Sequence, residues 1–231
     1  MAMSSIANNL AALHKRVAGA AADAGRDPAE VTLVAVAKTF ARASVEEALA
    51  AGQRVFGENR VQEAQAKYDP PLSGVELHLV GHLQSNKARA AAALFDRIHS
   101  LDSAKTARKL DRCLGELGRT MRALVQVNLD MEPQKSGVEE TRAAELLRDL
   151  AGMDNLRADG LMVLPPFFDD PQRARPYFRR LRELRDRLGE LALGVELRHL
   201  SMGMTGDFEE AIAEGATLIR VGTAIFGRRG R

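Results

Sequence analysis

The chain has 231 residues, 45% of them hydrophobic and 28% charged, and its 33 basic residues are nearly balanced by 31 acidic ones. A net charge of +2 supplies little long-range field, which argues against non-specific nucleic-acid binding. The single cysteine, Cys113, excludes an intrachain disulfide. No apolar run reaches the ~18 residues of a membrane span, and the alanine-rich start, interrupted by His14, Lys15 and Arg16, lacks the order of a signal peptide. The cytoplasm is the expected compartment, with no membrane partner.

The first helix is expected over roughly residues 4–24, where Ile6, Leu10, Leu13 and Val17 recur at helical spacing and Gly25 ends the pattern. Short apolar runs then alternate with helical stretches. The runs are VTLVAVA (31–37), RVFG (54–57), ELHLVG (76–81), RIHS (97–100), ALVQVN (123–128), DGLMVL (159–164), ELRHLS (196–201) and TLIRVG (217–222). Each is too short for a helix, and several are rich in Val, Leu or Ile, as buried parallel strands are. Ser44 with Glu47, and Asp207 with Glu210, fit capping boxes, and Asp102 is placed to cap the helix carrying Leu110, Leu114 and Leu117. The stretch RARPYFRRLRELRDRL places Phe178, Leu181, Leu184 and Leu188 on one face, so it reads as an outer helix with its arginines toward water. With no break in composition, one domain over residues 1–231 is expected.

Eight strand–helix repeats predict a (β/α)8 barrel of the triosephosphate isomerase type, with an extra N-terminal helix. The alternative is an open doubly wound sheet, against which no GxGxxG turn follows the first run. In a barrel, function lies where strands end. Lys38 directly follows the first run. A lysine there should point into the barrel mouth, and an amine held out of water is a nucleophile for an aldehyde. It could instead pair with a carboxylate. The seventh run is followed by Ser201-Met202-Gly203-Met204-Thr205-Gly206-Asp207 and the eighth by Gly222-Thr223. The loops after strands seven and eight often build a phosphate site, with backbone N–H groups, hydroxyls and a following helix start as donors. The same residues are also ordinary turn formers. Arg220, two residues before Gly222, is either a structural ion-pair partner or a permanent donor to a ring nitrogen. An amine for an aldehyde, a cup for a phosphate and an arginine for a ring nitrogen together describe pyridoxal 5′-phosphate (PLP).

The stretches LVAVAKT, FGENRVQEA, LHLVGHLQSNK, HSLD, VQVN followed by QKSGV, GLM, and LSMGMTGDFEEAIAEGATLIRVGTAIFG resemble the YggS/PROSC family of PLP homeostasis proteins from about residue 30 to 227. That family is similar to the N-terminal barrel of alanine racemase without its second domain. The resemblance implies a non-catalytic PLP carrier or regulator in vitamin B6 balance. Lys38 would hold the cofactor as a Schiff base and Arg220 would face the pyridine nitrogen. Ser201, Gly222 and Thr223, with backbone groups near Met202 and Gly203, would hold the phosphate. Asn59 and His82 would approach the ring, and Lys135 matches a family lysine of less settled role. Here Ala37 stands where serine is usual, Thr205 replaces the second serine of SMGMS, and the tail GRRGR lacks the usual tyrosine.

Two other activities fit parts of the pattern. A PLP-dependent racemase needs an acid/base on each face of its substrate, and the two tyrosines, Tyr68 and Tyr177, fall in or beside outer helical segments. A phosphosugar-type barrel enzyme could use Lys38 without PLP. His14 and His199 read as isolated, and His78, His82 and His99 lack companions at metal-site spacing. PLP-dependent apo-enzymes are the implied recipients, and nothing calls for more than a monomer.

Overall fold

The computed structural model describes residues 5–130, 136–191 and 193–227. Helix α1 (Ser5–Asp23) buries Ile6, Leu10, Leu13, Val17 and Ala21, the stripe its periodicity predicts. It stands outside the strand–helix repeats and packs on α8 (Phe208–Ala213) and α9 (Thr223–Phe226). Asn9 Nδ2 ties it there, donating to Ile225 O at 2.9 Å.

The strands are β1 (Thr32–Val36), β2 (Val55–Glu58), β3 (Glu76–Leu79), β4 (Arg97–Leu101), β5 (Met121–Asn128), β6 (Val138–Glu139), β7 (Leu156–Met162), β8 (His199–Ser201) and β9 (Leu218–Val221). Every pairing is parallel. Around the ring they run β1-β2-β3-β4-β5-β7-β8-β9, and β9 pairs back onto β1, so eight strands close the expected barrel. The ninth, β6, is a two-residue strand on the flank of β5 that the hydrophobic runs did not announce. Helices α2 (Arg42–Ala50), α3 (Val61–Lys67), α4 (Ala88–Leu94), α5 (Ala104–Glu116), α6 (Ala143–Ala151) and α7 (Arg175–Glu190), with α8 and α9, alternate with the strands. Among the described residues no helix is long and apolar enough to cross a membrane.

Strand alternation sorts side chains onto two faces. The outward set, including Leu33, Ala35, Phe56, Leu79, Ile98, Val125, Leu161 and Ile219, joins the helices in one large apolar core. Val34, Val36, Val80, Leu124, Met162 and Leu218 form a second, smaller apolar cluster. The barrel interior is completed by buried polar groups: Arg97, held by Asp159 at 3.0 Å, and the hydrogen-bonded His78, His99 and Ser201.

Helix ends depart from expectation in three places. α2 starts at Arg42 with Ala41 at its N-cap, so Ser44 lies inside the helix and forms no capping box. The cap of α5 is Ser103, whose hydroxyl accepts from Thr106 N at 3.3 Å, and Asp102 instead faces His82. Asp207 occupies the N-cap position of α8 without bonding the helix; its carboxylate accepts from Met204 N at 2.6 Å and closes the preceding loop. On α7 the arginines have acidic partners. Arg175, Arg179 and Arg182 surround the buried Glu214, and Arg180 and Arg187 meet Glu140. Cys113 is buried on α5 as a free thiol.

Candidate functional site

At the C-terminal ends of the strands lies a cavity of about 680 Å³, lined among others by Lys38, Asn59, His82, Arg220, Gly222 and Thr223. That volume is in the range of pockets that take small cofactors, roughly 300–1,000 Å³. Lys38 is half-buried two residues beyond the end of β1. The backbone that presents it is pinned. Ala37 N donates to Gly57 O at 3.0 Å, and Lys67 Nζ donates to Ala37 O at 2.6 Å while pairing with the buried Glu58 at 2.7 Å. Burial raises the Glu58 carboxyl above its usual range, against the pull of Lys67. Directly after Lys38, Thr39 has φ +68°, the sole positive φ of a non-glycine residue among those described. For a β-branched residue this is a costly conformation, and such strain concentrates at functional sites. The turn carries Phe40 to the cavity wall, where its ring meets Phe226 at 5.1 Å.

Arg220 is held from three directions. Nη1 donates to Ser201 Oγ at 2.5 Å, Nη2 donates to Val163 O at 2.9 Å, and its backbone N donates to Gly203 O at 2.9 Å. Burial lowers the guanidinium to about 10, with Asp207 opposing, so it stays charged at neutral pH. Two of its five N–H groups serve Ser201 and Val163, and the residue lines the cavity.

The loops after β8 and β9 meet on one wall. Thr223 Oγ1 donates to Thr205 Oγ1 at 3.1 Å, and both residues line the cavity with Gly206 and Gly222. A Cβ at Gly222 would stand 3.0 Å from Val36 O, so a side chain there would crowd the end of β1. Helices α8 and α9 have only six and four residues, so hydroxyls and loop N–H groups, rather than a long helix dipole, must serve an anion.

The expected residues divide. Lys38, Asn59, His82, Arg220, Gly222 and Thr223 share the cavity. Ser201, Met202 and Gly203 stand behind it. The Ser201 hydroxyl is fully buried between Arg220 and His99, Met202 is in the outer core, and Gly203, at φ +90°, packs where a Cβ would meet Ala211 at 2.6 Å. Thr205 and Gly206, further along the same loop, line the cavity. Lys135 lies outside the described residues. Its neighbour Ser136 lines the cavity and accepts from Gln126 Nε2 at 2.8 Å. The sequence reading missed Phe40, Gln126, Asn128 and the segment Leu164–Phe168. Their signal was position alone, since the last four follow a strand run in PPFF. His82 stands 3.2 Å from Asp102, and neither tyrosine reaches the cavity wall. Tyr68 is instead buried against Glu58 at 3.4 Å.

These residues suit PLP. A primary amine, a buried cationic donor and a hydroxyl-and-glycine wall are the groups that an aldehyde, a ring nitrogen and a phosphate call for. The fold and cavity thus define a barrel with a cofactor-type pocket at its strand ends.

Comparison narrows that class. The model of the alanine racemase N-terminal domain family matches residues 4–230. A "pyridoxal phosphate homeostasis protein" of Pseudomonas aeruginosa is 43% identical over 231 residues, covering 98% of this chain and 97% of the relative. The solved structure of PipY from Synechococcus elongatus PCC7942 with PLP bound is 41% identical, with a TM-score of 0.84, covering 96% of this chain and all of that one. Alanine racemase of Clostridium difficile, 13% identical with a TM-score of 0.76, shares the fold, and this chain covers 98% of itself but 57% of that enzyme. The chain belongs to the alanine racemase N-terminal domain family, within the group of the pyridoxal phosphate homeostasis proteins.

Proposed function

We propose that the protein binds PLP covalently through Lys38 and serves PLP homeostasis as a carrier or regulator, not as an efficient enzyme. The observation that carries this is the convergence of Lys38, Arg220 and the Thr205–Gly222–Thr223 wall on one cavity. PLP, when bound, supplies an aldehyde for the lysine and a phosphate for that wall. Arg220 presents a fixed positive donor to the ring nitrogen and keeps it unprotonated, which weakens the ring as an electron sink. Asn59 and His82 complete the side of the pocket after β2 and β3. The protein would act in the cytoplasm as a monomer and hand PLP to apo-enzymes.

A racemase-like reading has one observation in its favour: His82, oriented by Asp102 at 3.2 Å, is an imidazole on the cavity wall. One positioned base is worth roughly 10²–10⁴-fold in rate. Two measurements decide. Addition of PLP to the purified protein should produce a saturable visible band, and its absence would end the PLP reading. Exchange of the α-proton of alanine or serine in heavy water should stay far below ~1 per second. Turnover at or above that rate would favour the racemase.

A further inference from the structure

Five side chains form a continuous hydrogen-bonded line from the cavity through the barrel to its opposite end. Arg220 Nη1 donates to Ser201 Oγ at 2.5 Å, and Ser201 Oγ lies 2.8 Å from His99 Nδ1. His99 Nε2 lies 3.0 Å from His78 Nδ1, and His78 Nε2 lies 2.8 Å from Glu76 Oε1. Ser201 and His99 are fully enclosed, whereas the Glu76 side chain is 51% exposed at the first position of β3. The link from His99 on β4 to Ser201 on β8 spans the barrel, because β5 and β7 lie between those strands in the ring.

The two ends give the line a direction. A guanidinium only donates and a carboxylate only accepts, while a neutral imidazole does one of each. Burial pushes both imidazoles below their usual range, His99 furthest, with His78, Arg220 and Arg97 adding to the effect there. His78 must then carry its proton on Nε2 to meet Glu76. Its Nδ1 accepts, so His99 also carries its proton on Nε2. His99 Nδ1 accepts from the Ser201 hydroxyl, whose oxygen accepts from Arg220. Every link donates toward Glu76. In the opposite order, a bare His78 nitrogen would face a carboxylate. Ser201 would also accept from both sides, and among the described residues its own proton would have no other partner within reach.

We propose that Glu76, His78 and His99 are positioning residues: the carboxylate at the barrel floor sets the proton order of both imidazoles and thereby commits Ser201 to holding the guanidinium of Arg220 in the pocket. The consequence for PLP rests on the cofactor reading above; the proton order does not. Glu76 is a control point at the far end of the barrel from the ligand it influences.

The test uses the full chain without PLP. Nitrogen-15 spectra of the imidazoles report which ring nitrogen carries the proton, and the guanidinium N–H resonances report the state of Arg220. Wild type and Glu76→Gln, which still accepts, should show Nε2–H on both His78 and His99. Glu76→Lys, which only donates, should reverse both to Nδ1–H and shift the Arg220 resonances. Should Glu76→Lys not fold, Glu76→Ala should give a mixed proton order. After loading with PLP, Glu76→Lys should bind about 10-fold more weakly, the scale of one charge-assisted hydrogen bond, with Glu76→Gln close to wild type. Imidazoles that keep one order in all variants would overturn the relay. So would a reversal that leaves the Arg220 resonances unmoved. Failure of the wild type to take PLP would sink the cofactor reading, while the cofactor-free spectra would still decide the relay.

Discussion

The two faces of the barrel strands use the same backbone for opposite ends. Outward residues such as Phe56, Leu79, Ile98 and Val125 are fully buried among other apolar groups, and shape and area decide what each contributes. Inward, one part of the interior is apolar around Val34, Leu124 and Met162, and another is polar through His78, His99, Ser201 and Arg220. On that polar side identity matters more than size, because an unpartnered polar group in the interior costs more than a lost contact. The lesson is that stability is distributed on the outer face and function is concatenated on the inner one. Substitutions can test that division.

The largest effect is expected outside. Phe56→Ala should cost ~3–5 kcal/mol in denaturant unfolding, while the folded fraction keeps the position of its PLP band. A displaced band would break the separation of the two faces. Next comes Arg220→Gln, which leaves Ser201 and Val163 without their charged donor. It should weaken PLP binding by about 1.5–3 kcal/mol, move the visible band and alter stability less than Phe56→Ala does. An unchanged band and affinity would remove Arg220 from the ring nitrogen.

A smaller effect separates the faces by pH. His78 and His99 are held neutral in the fold, but in the unfolded chain they take up protons below the ordinary histidine value of 6.5. The unfolded state therefore binds more protons, so stability falls as pH drops below about 6.5 and keeps falling until the depressed folded values are reached. Each imidazole contributes a slope of up to ~1.4 kcal/mol per pH unit. Unfolding curves between pH 7.5 and 5 should show His99→Gln losing one such contribution relative to wild type. Equal slopes would mean that His99 titrates normally. The smallest effect concerns the strained turn after Lys38. Thr39→Gly should raise stability by roughly 0.5–1 kcal/mol, since a left-handed conformation costs about 1–2 kcal/mol and glycine's entropy returns part of the gain. A loss of stability would show that Thr39 is held by contacts that outweigh its strain.

How much was legible beforehand follows the same division. Short apolar runs located all eight barrel strands and 3.6-residue periodicity located α1, because burial leaves a local mark along the chain. Lys38, Gly222 and Thr223 were legible because strand ends face the mouth in any such barrel. Ser201 lies behind the cavity wall, a position its residue type did not reveal. The last position of β8 still points inward, and Thr205 reaches the wall. The three capping assignments failed because Asp102 and Asp207 are drawn to His82 and to Met204 N, and Ala41 rather than Ser44 is the N-cap of α2. The relay could not be read at all. His78, His99 and Ser201 are far apart in sequence, and only closure of the ring sets β4 opposite β8.

The central claim is that Lys38 holds the cofactor, and one measurement addresses it directly. The PLP-loaded protein is reduced with borohydride, digested and mapped by mass spectrometry. The account predicts a pyridoxyl-phosphate adduct on the peptide containing Lys38 and none in Lys38→Ala. An adduct on Lys67, Lys87 or Lys135, persisting when Lys38 is replaced, would contradict it.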